Sequence, residues 1–164
     1  MNFGVGSPEF VAAMIATHGD QNPNLVGKIS TVEAGAWGGE PQGGYRFGTT
    51  SGPTALVPTS TMMDFYVGGG IDVAFLGVGE VDVQGNVNVS NFAGRVPGVG
   101  GFADIAGNAK TLVFTTTLTC GNLVTKVEDG KLIIVQEGSI QKFKEKIDEI
   151  TFPSASRGSR RVVF

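Results

Sequence analysis

The stretch Gly68-Gly69-Gly70-Ile71-Asp72-Val73-Ala74-Phe75-Leu76 decides how the chain is organised. Three glycines stop whatever precedes them. An almost unbroken apolar run follows, of a length and composition that read as a buried strand, central in its sheet. Towards the N-terminus, Phe3-Gly4-Val5-Gly6 reads as the end of another buried strand. Ser7-Pro8-Glu9 then reads as a helix start, with Ser7 as N-cap, Pro8 at the first helical position and Glu9 in the first turn. Phe10, Val11, Met14 and Ile15 form an apolar stripe at helical spacing, and Gly19 closes the helix. Gln21–Asn24 reads as loop and Lys28–Glu33 as a second strand. From there to about Ser60 the chain is glycine-rich and weakly patterned, too long for a plain connector.

Towards the C-terminus, Asp82–Asn86 carries a turn and Asn86–Ser90 returns as a short strand. A short helix follows Gly98–Gly101 and ends near Asn108, and Thr111–Thr117 is a β-run. Leu123–Val127 and Lys131–Val135, joined by Glu128-Asp129-Gly130, spell a hairpin, because Asp-Gly suits a tight primed turn. Ile140, Phe143, Ile147 and Ile150 are spaced for a helix. Strands alternating with helices specify an α/β fold: an open, largely parallel sheet with flanking helices, ending in an antiparallel hairpin. Such folds bind ligands beyond the carboxyl ends of their strands. After Phe152 the pattern collapses into Ser154–Ser159, so the expected organisation is one domain over 1–152, incomplete, and an irregular tail over 153–164. Both ends fall inside strand-like sequence, which suggests a fragment or one subunit of a larger assembly.

Composition narrows the function classes. The 164 residues amount to one domain or a piece of one, with 41% hydrophobic and 16% charged residues, and so with material for a real core. No stretch approaches the roughly 20 apolar residues of a membrane span, and no segment has the order of a signal peptide. The expected location is cytoplasmic, or the mitochondrial matrix in a eukaryote. The net charge of −3 comes without a basic stripe, which disfavours nucleic acid as a partner. Arg157, Arg160 and Arg161, set among serines, read as a solvated tail. With one histidine, His18, and one cysteine, Cys120, far apart, neither a zinc site nor a Ser-His-Asp triad has the residues it needs, so no metal is expected. Cys120 reads as a small buried residue rather than a reactive thiol. Glycine is the abnormal number: 26 of 164, about twice the usual share of roughly 7%. Most of these glycines serve tight turns in a sheet protein; the other use is close backbone contact with a ligand.

Several motifs, in order, resemble the C-terminal domain of the family I CoA-transferases, in the single-chain propionate/acetoacetate branch of short-chain acyl-CoA transferases. They are Phe3–Val11, Thr31-Val32-Glu33-Ala34-Gly35, Asp64–Asp72, Gly85–Ser90, Gly98-Val99-Gly100-Gly101-Phe102, Val127–Leu132 and Ile150-Thr151-Phe152. The similarity runs over roughly residues 2–152. It implies that Glu33 of the E-x-G motif is the covalent nucleophile, and that Gly98, Gly100 and Gly101 form an oxyanion and CoA-binding loop, with Gly100 and Gly101 as the donors. Gly35, Trp37 and Gln42 are expected to line the cleft. No permanently bound cofactor is implied, and coenzyme A is a substrate. The implied partners are an acyl-CoA, a carboxylic acid, an N-terminal CoA-transferase domain or subunit, and further copies of the full protein. From the residues alone, Glu33 is an ordinary strand-end carboxylate, Gly98–Gly101 an ordinary turn before a helix, and Tyr66, Phe65, Asn86 and Asn88 are structural.

Three functions remain open at this level. The first is CoA transfer between short-chain carboxylic acids through a γ-glutamyl-CoA thioester, with acyl-CoA hydrolysis as a close variant. The second is a sugar-phosphate isomerase of related fold, which would want basic residues for phosphate where only Arg95 stands near a glycine loop. The third is a truncated non-catalytic fragment, or a subunit that needs the N-terminal domain.

Overall fold

The computed structural model describes residues 1–22 and 27–164. In chain order the elements are β1 (Asn2–Phe3), α1 (Ser7–His18), β2 (Ala36–Trp37), β3 (Glu40–Pro41), β4 (Thr50–Ser51), β5 (Ala55–Leu56), α2 (Thr59–Val67), β6 (Val73–Leu76), β7 (Glu80–Asp82) and β8 (Val87–Asn88). Then come α3 (Phe102–Asn108), β9 (Thr111–Phe114), β10 (Thr119–Cys120), β11 (Val124–Glu128), β12 (Lys131–Gln136), β13 (Ile140–Gln141), β14 (Phe143–Lys144) and β15 (Arg161–Val163). They form two compact units: residues 1–77, 99–115 and 155–164 in the first, and 78–98 and 116–154 in the second.

The first unit is the α/β body. Its sheet has the order β1-β6-β9-β15, all neighbours parallel, with β6 central as its apolar run demands. Ala74, Leu76, Leu112 and Phe114 alternate inward on β6 and β9, and Met62 and Tyr66 of α2 and Ile105 and Ala106 of α3 are buried with them. The glycine-rich stretch before α2 is not structureless. It folds back on itself as two short antiparallel ladders, β2 with β5 and β3 with β4. The second unit holds the three-stranded sheet β14-β7-β8, the pair β10-β13 and the hairpin β11-β12, with Val81, Val87, Ile147 and Phe152 buried. The hairpin turns through Asp129 (φ 50°) and Gly130 (φ 72°), both left-handed as a primed turn requires.

Several expectations are corrected. Gly6, not Ser7, is the N-cap of α1, and Ser7 is already helical; Glu9 reaches back so that its Oε1 accepts the Gly6 N–H at 2.6 Å. The buried face of α1 is Pro8 and Ala12, while Phe10 and Met14 stay 74% and 65% exposed. Of Lys28–Glu33, only Thr31 pairs, bridging Asn2 and Trp37, because the chain reverses just after it, with Val32 N–H donating to Ala36 O and Gly35 N–H to Val32 O. Of Gln21–Asn24, Gln21 lies in a 3-10 turn over Gly19–Gln21, and Pro23 and Asn24 lie outside the described residues. No helix forms over Ile140–Ile150. Lys142 N–H donates to Leu118 O and Lys142 O accepts from Val81 N–H, so pairing on both sides holds the segment extended, and only Ile147 of the four spaced residues is buried. The expected irregular tail contains a 3-10 turn (Ser154–Arg157) and a strand, β15, paired in parallel with β9, and its Arg157 is buried rather than solvated. Cys120 is partly exposed. Among the described residues no helix is long and apolar enough to cross a membrane.

Candidate active site

The Glu33 turn is built by backbone. Thr31 is anchored on β1, then Val32–Ala36 closes a tight reversal that sets Glu33 at its tip. Gly35 makes the reversal possible: its φ is 112°, and a Cβ there would run into the carbonyl oxygen of Val57, whose N–H donates to Gly35 O at 2.9 Å. Beneath the turn lies a buried polar knot. Asn2 Nδ2 donates to Thr31 O and to the Tyr66 hydroxyl, each at 3.2 Å, and that hydroxyl donates to Thr31 Oγ1 at 3.1 Å. Burial pushes the Tyr66 phenol up, its hydrogen bonds to Thr31 and Asn2 oppose this, and the nearby charge of Glu33 adds to the rise.

Glu33 itself is only partly exposed. Burial raises its carboxyl above the usual carboxylate range, which leaves the ionised form more basic than a solvated glutamate. The backbone of Gly101 stands directly against it: a Cβ at Gly101 would lie 3.3 Å from Glu33 Cγ and 3.4 Å from Cδ. Gly101 ends a tight turn, Val99–Phe102, in which Phe102 N–H donates to Val99 O and Gly100 takes a left-handed φ of 54°. Among the described residues, the N–H groups of Gly100 and Gly101 have no acceptor. Gly98 lies in the second unit and its N–H is directed to Ser90 O at 3.4 Å.

A narrow cleft beside this turn is lined by Glu33, Gln42, Asn2, Glu9, Phe47 and Thr49, among others. Gln42 is one of these lining residues. Gly35 and Trp37 are not among them: Gly35 is pressed on Val57, and the Trp37 ring packs edge-on against Phe65 at 4.8 Å. Asn2 and Glu9 were not legible as cleft residues. The second carboxylate, Glu9, is fully engaged, with Oε1 accepting from Gly6 N–H and Oε2 from Gly44 N–H, each at 2.6 Å. In the second unit, Asn86 and Asn88 serve the fold. Asn86 holds Asp82 and Ser154, and Asn88 ties Glu80 to the Ser90–Asn91 backbone. Among the described residues no group of three or more His, Cys, Asp or Glu side chains gathers as a metal site would.

The site thus combines a glutamate carboxyl raised by burial, the Gly101 backbone against its side chain, and neighbouring backbone N–H groups without an acceptor among the described residues. The chain is a homologue of one segment of known CoA-transferases. It is 41% identical over 151 residues to the acetate CoA-transferase YdiF of Escherichia coli K12, aligning 92% of its own length with 28% of that protein. To the caffeate CoA-transferase of Acetobacterium woodii it is 35% identical over 158 residues, covering 93% of the chain and 29% of the relative. The crystal structure of the Escherichia coli O157:H7 acyl-CoA transferase YdiF, as a thioester complex with CoA, matches it with a TM-score of 0.83 at 39% identity over 94% of this chain and 28% of that one. The chain therefore spans little more than a quarter of the length of the relatives it matches. No family model matches it.

Proposed function

We propose that this chain carries the nucleophile of an acyl-CoA:carboxylate CoA-transferase, that Glu33 is that nucleophile, and that the Gly100–Gly101 backbone stabilises the oxyanions formed on it. The observation that carries this reading is the desolvated Glu33 carboxyl held against Gly101, with the neighbouring N–H groups unpaired among the described residues. A Glu33 oxygen attacks the thioester carbonyl of an acyl-CoA. The C–S bond breaks, CoA leaves as thiolate, and a mixed anhydride remains. The thiolate attacks the glutamyl carbonyl, expels the first carboxylate and leaves CoA as a thioester on Glu33. A second carboxylate attacks that thioester and releases the thiolate, which then takes the new acyl group from the anhydride and restores Glu33. Each addition places negative charge on a carbonyl oxygen, and losing one backbone donor to such an oxyanion costs on the order of 10²–10³ in rate. The thioester complex with CoA of the relative supports a CoA thioester as intermediate here.

The remainder of a longer protein, or a separate subunit, completes the cleft and selects the acid. Short acids suit the narrow space beside Glu33. The test supplies a short acyl-CoA without acceptor to the chain, alone and together with the complementary segment of a relative. Mass spectrometry should find a CoA-sized adduct on the peptide containing Lys28–Gly35, removable by hydroxylamine and missing in Glu33→Gln. An adduct on Cys120, or exchange that survives Glu33→Gln, refutes the assignment.

A further inference from the structure

Arg157 is the only buried lysine or arginine among the described residues, 2% exposed, and it forms no ion pair with any of them. A buried cation without hydrogen bonds would be costly. Its two terminal nitrogens are directed at carbonyl oxygens, while Nε is buried without a partner among the described residues. One terminal nitrogen donates to Ala106 O, the other to Ala109 O at 2.7 Å and to Lys110 O and Arg161 O at 3.2 Å. Three of these acceptors sit at the C-terminal end of α3 and just beyond it, where helix carbonyls have no partner within the helix. Burial lowers the guanidinium pKa without depriving it of charge.

The other end of α3 begins at Gly101, the residue pressed against Glu33. Seven residues at about 1.5 Å each make a rod of roughly 10 Å, short and stiff enough to carry a shift from one end to the other. We infer that Arg157 is a positioning residue: by clamping the C-terminal carbonyls of α3 it fixes where Gly100 and Gly101 stand relative to Glu33. Its consequence for rate rests on the proposed role of Glu33; its effect on the turn does not. The segment that supplies it is held independently, by the pairing of β15 with β9 and by Phe164 against Phe114 at 5.1 Å.

The experiment uses Arg157→Lys and Arg157→Ala in the full chain, with two measurements. Hydrogen exchange reads the amides of Val99–Asp104 against those of β1 and β6. Adduct formation on Glu33 is followed over a range of acyl-CoA concentrations. Lysine keeps the charge but replaces the planar fork with a point donor, so the lysine variant keeps the test decisive should the alanine variant not fold. Exchange over Val99–Asp104 should rise at least tenfold while β1 and β6 keep their protection. The maximal adduct rate should fall, by up to about 10²-fold if the turn moves by ~1 Å, with the half-saturating concentration unchanged. Millimolar guanidinium ion should restore both in Arg157→Ala. Unchanged exchange over Val99–Asp104, or an equal rise in all three segments, would make Arg157 a general stability clamp and overturn the inference. If wild-type forms no adduct on Glu33 but the exchange result holds, the positioning role stands and the Glu33 assignment falls.

Discussion

Replacing Gly101 by alanine tests the contact between the glycine turn and Glu33 with a single methyl group. The backbone tolerates it, since Gly101 has an ordinary φ of −80°. The new Cβ would meet Glu33 Cγ and Met63 Cε at 3.3 Å and Glu33 Cδ at 3.4 Å, so the neighbours must yield by a few tenths of an ångström. Met63 yields through its flexible end. Glu33 yields by swinging its side chain away from the Gly101 backbone. If about 1 Å of misplacement costs ~10²-fold, a few tenths should cost about 3- to 10-fold in the single-turnover rate of adduct formation. Stability should stay within about 0.5 kcal/mol, because the lost chain entropy of glycine offsets the small repacking. Gly100→Ala supplies the opposite pattern. A methyl there meets nothing within 4 Å, yet φ is 54°, so about 1–2 kcal/mol of stability is lost to left-handed strain. Rate is read by rapid quench and mass spectrometry, and stability by urea melts of the same samples. A Gly101→Ala protein with wild-type adduct rate, or one whose only defect is a lower melting midpoint, would refute the idea that this backbone sets the position of the carboxyl.

Two further outcomes follow from burial. Because Glu33 has a folded pKa above its unfolded value, its protonated form contributes stability that is present at low pH and lost as pH rises through the folded pKa. Glu33→Gln should therefore match wild-type in thermal melts near pH 4 and exceed it at pH 7, and an equal offset at both would contradict this. Trypsin should cut after the exposed Lys131 at the start of β12 before it cuts after the buried Arg157, and release of a C-terminal peptide beginning at Gly158 as the first product would show that the terminal segment is not docked.

What the sequence made legible was local. β6 and β9 announce themselves as apolar runs, the Asp129-Gly130 turn fixes its hairpin, and α3 follows the glycine turn that starts it. α2 escaped notice because threonines and an aspartate interrupt Thr59–Val67, although Met62 and Tyr66, four apart and both buried, were its signal. The spacing of Ile140, Phe143, Ile147 and Ile150 suggested a helix, yet hydrogen-bond partners from distant strands took the backbone first. The serine- and arginine-rich terminus looked solvated because nothing local shows that a guanidinium will find carbonyls at the end of α3. At the site, a motif pointed to Glu33, but its contact with Gly101 joins segments far apart in the chain. The involvement of Asn2 and Glu9 is likewise a tertiary fact.

Glu9 and Glu33 line one cleft, yet their oxygens lead different lives. Both oxygens of Glu9 are taken, one by each of two backbone amides that it staples together. An oxygen so occupied is a poor attacking group, and a carboxylate so anchored cannot swing towards an incoming carbonyl. In the proposed reaction the cleft would therefore offer an activated acyl group a single place to go. With Glu9 immobilised, a glutamyl thioester on Glu33 would be spared capture by the other acid of the cleft, and would wait for a carboxylate arriving from solution.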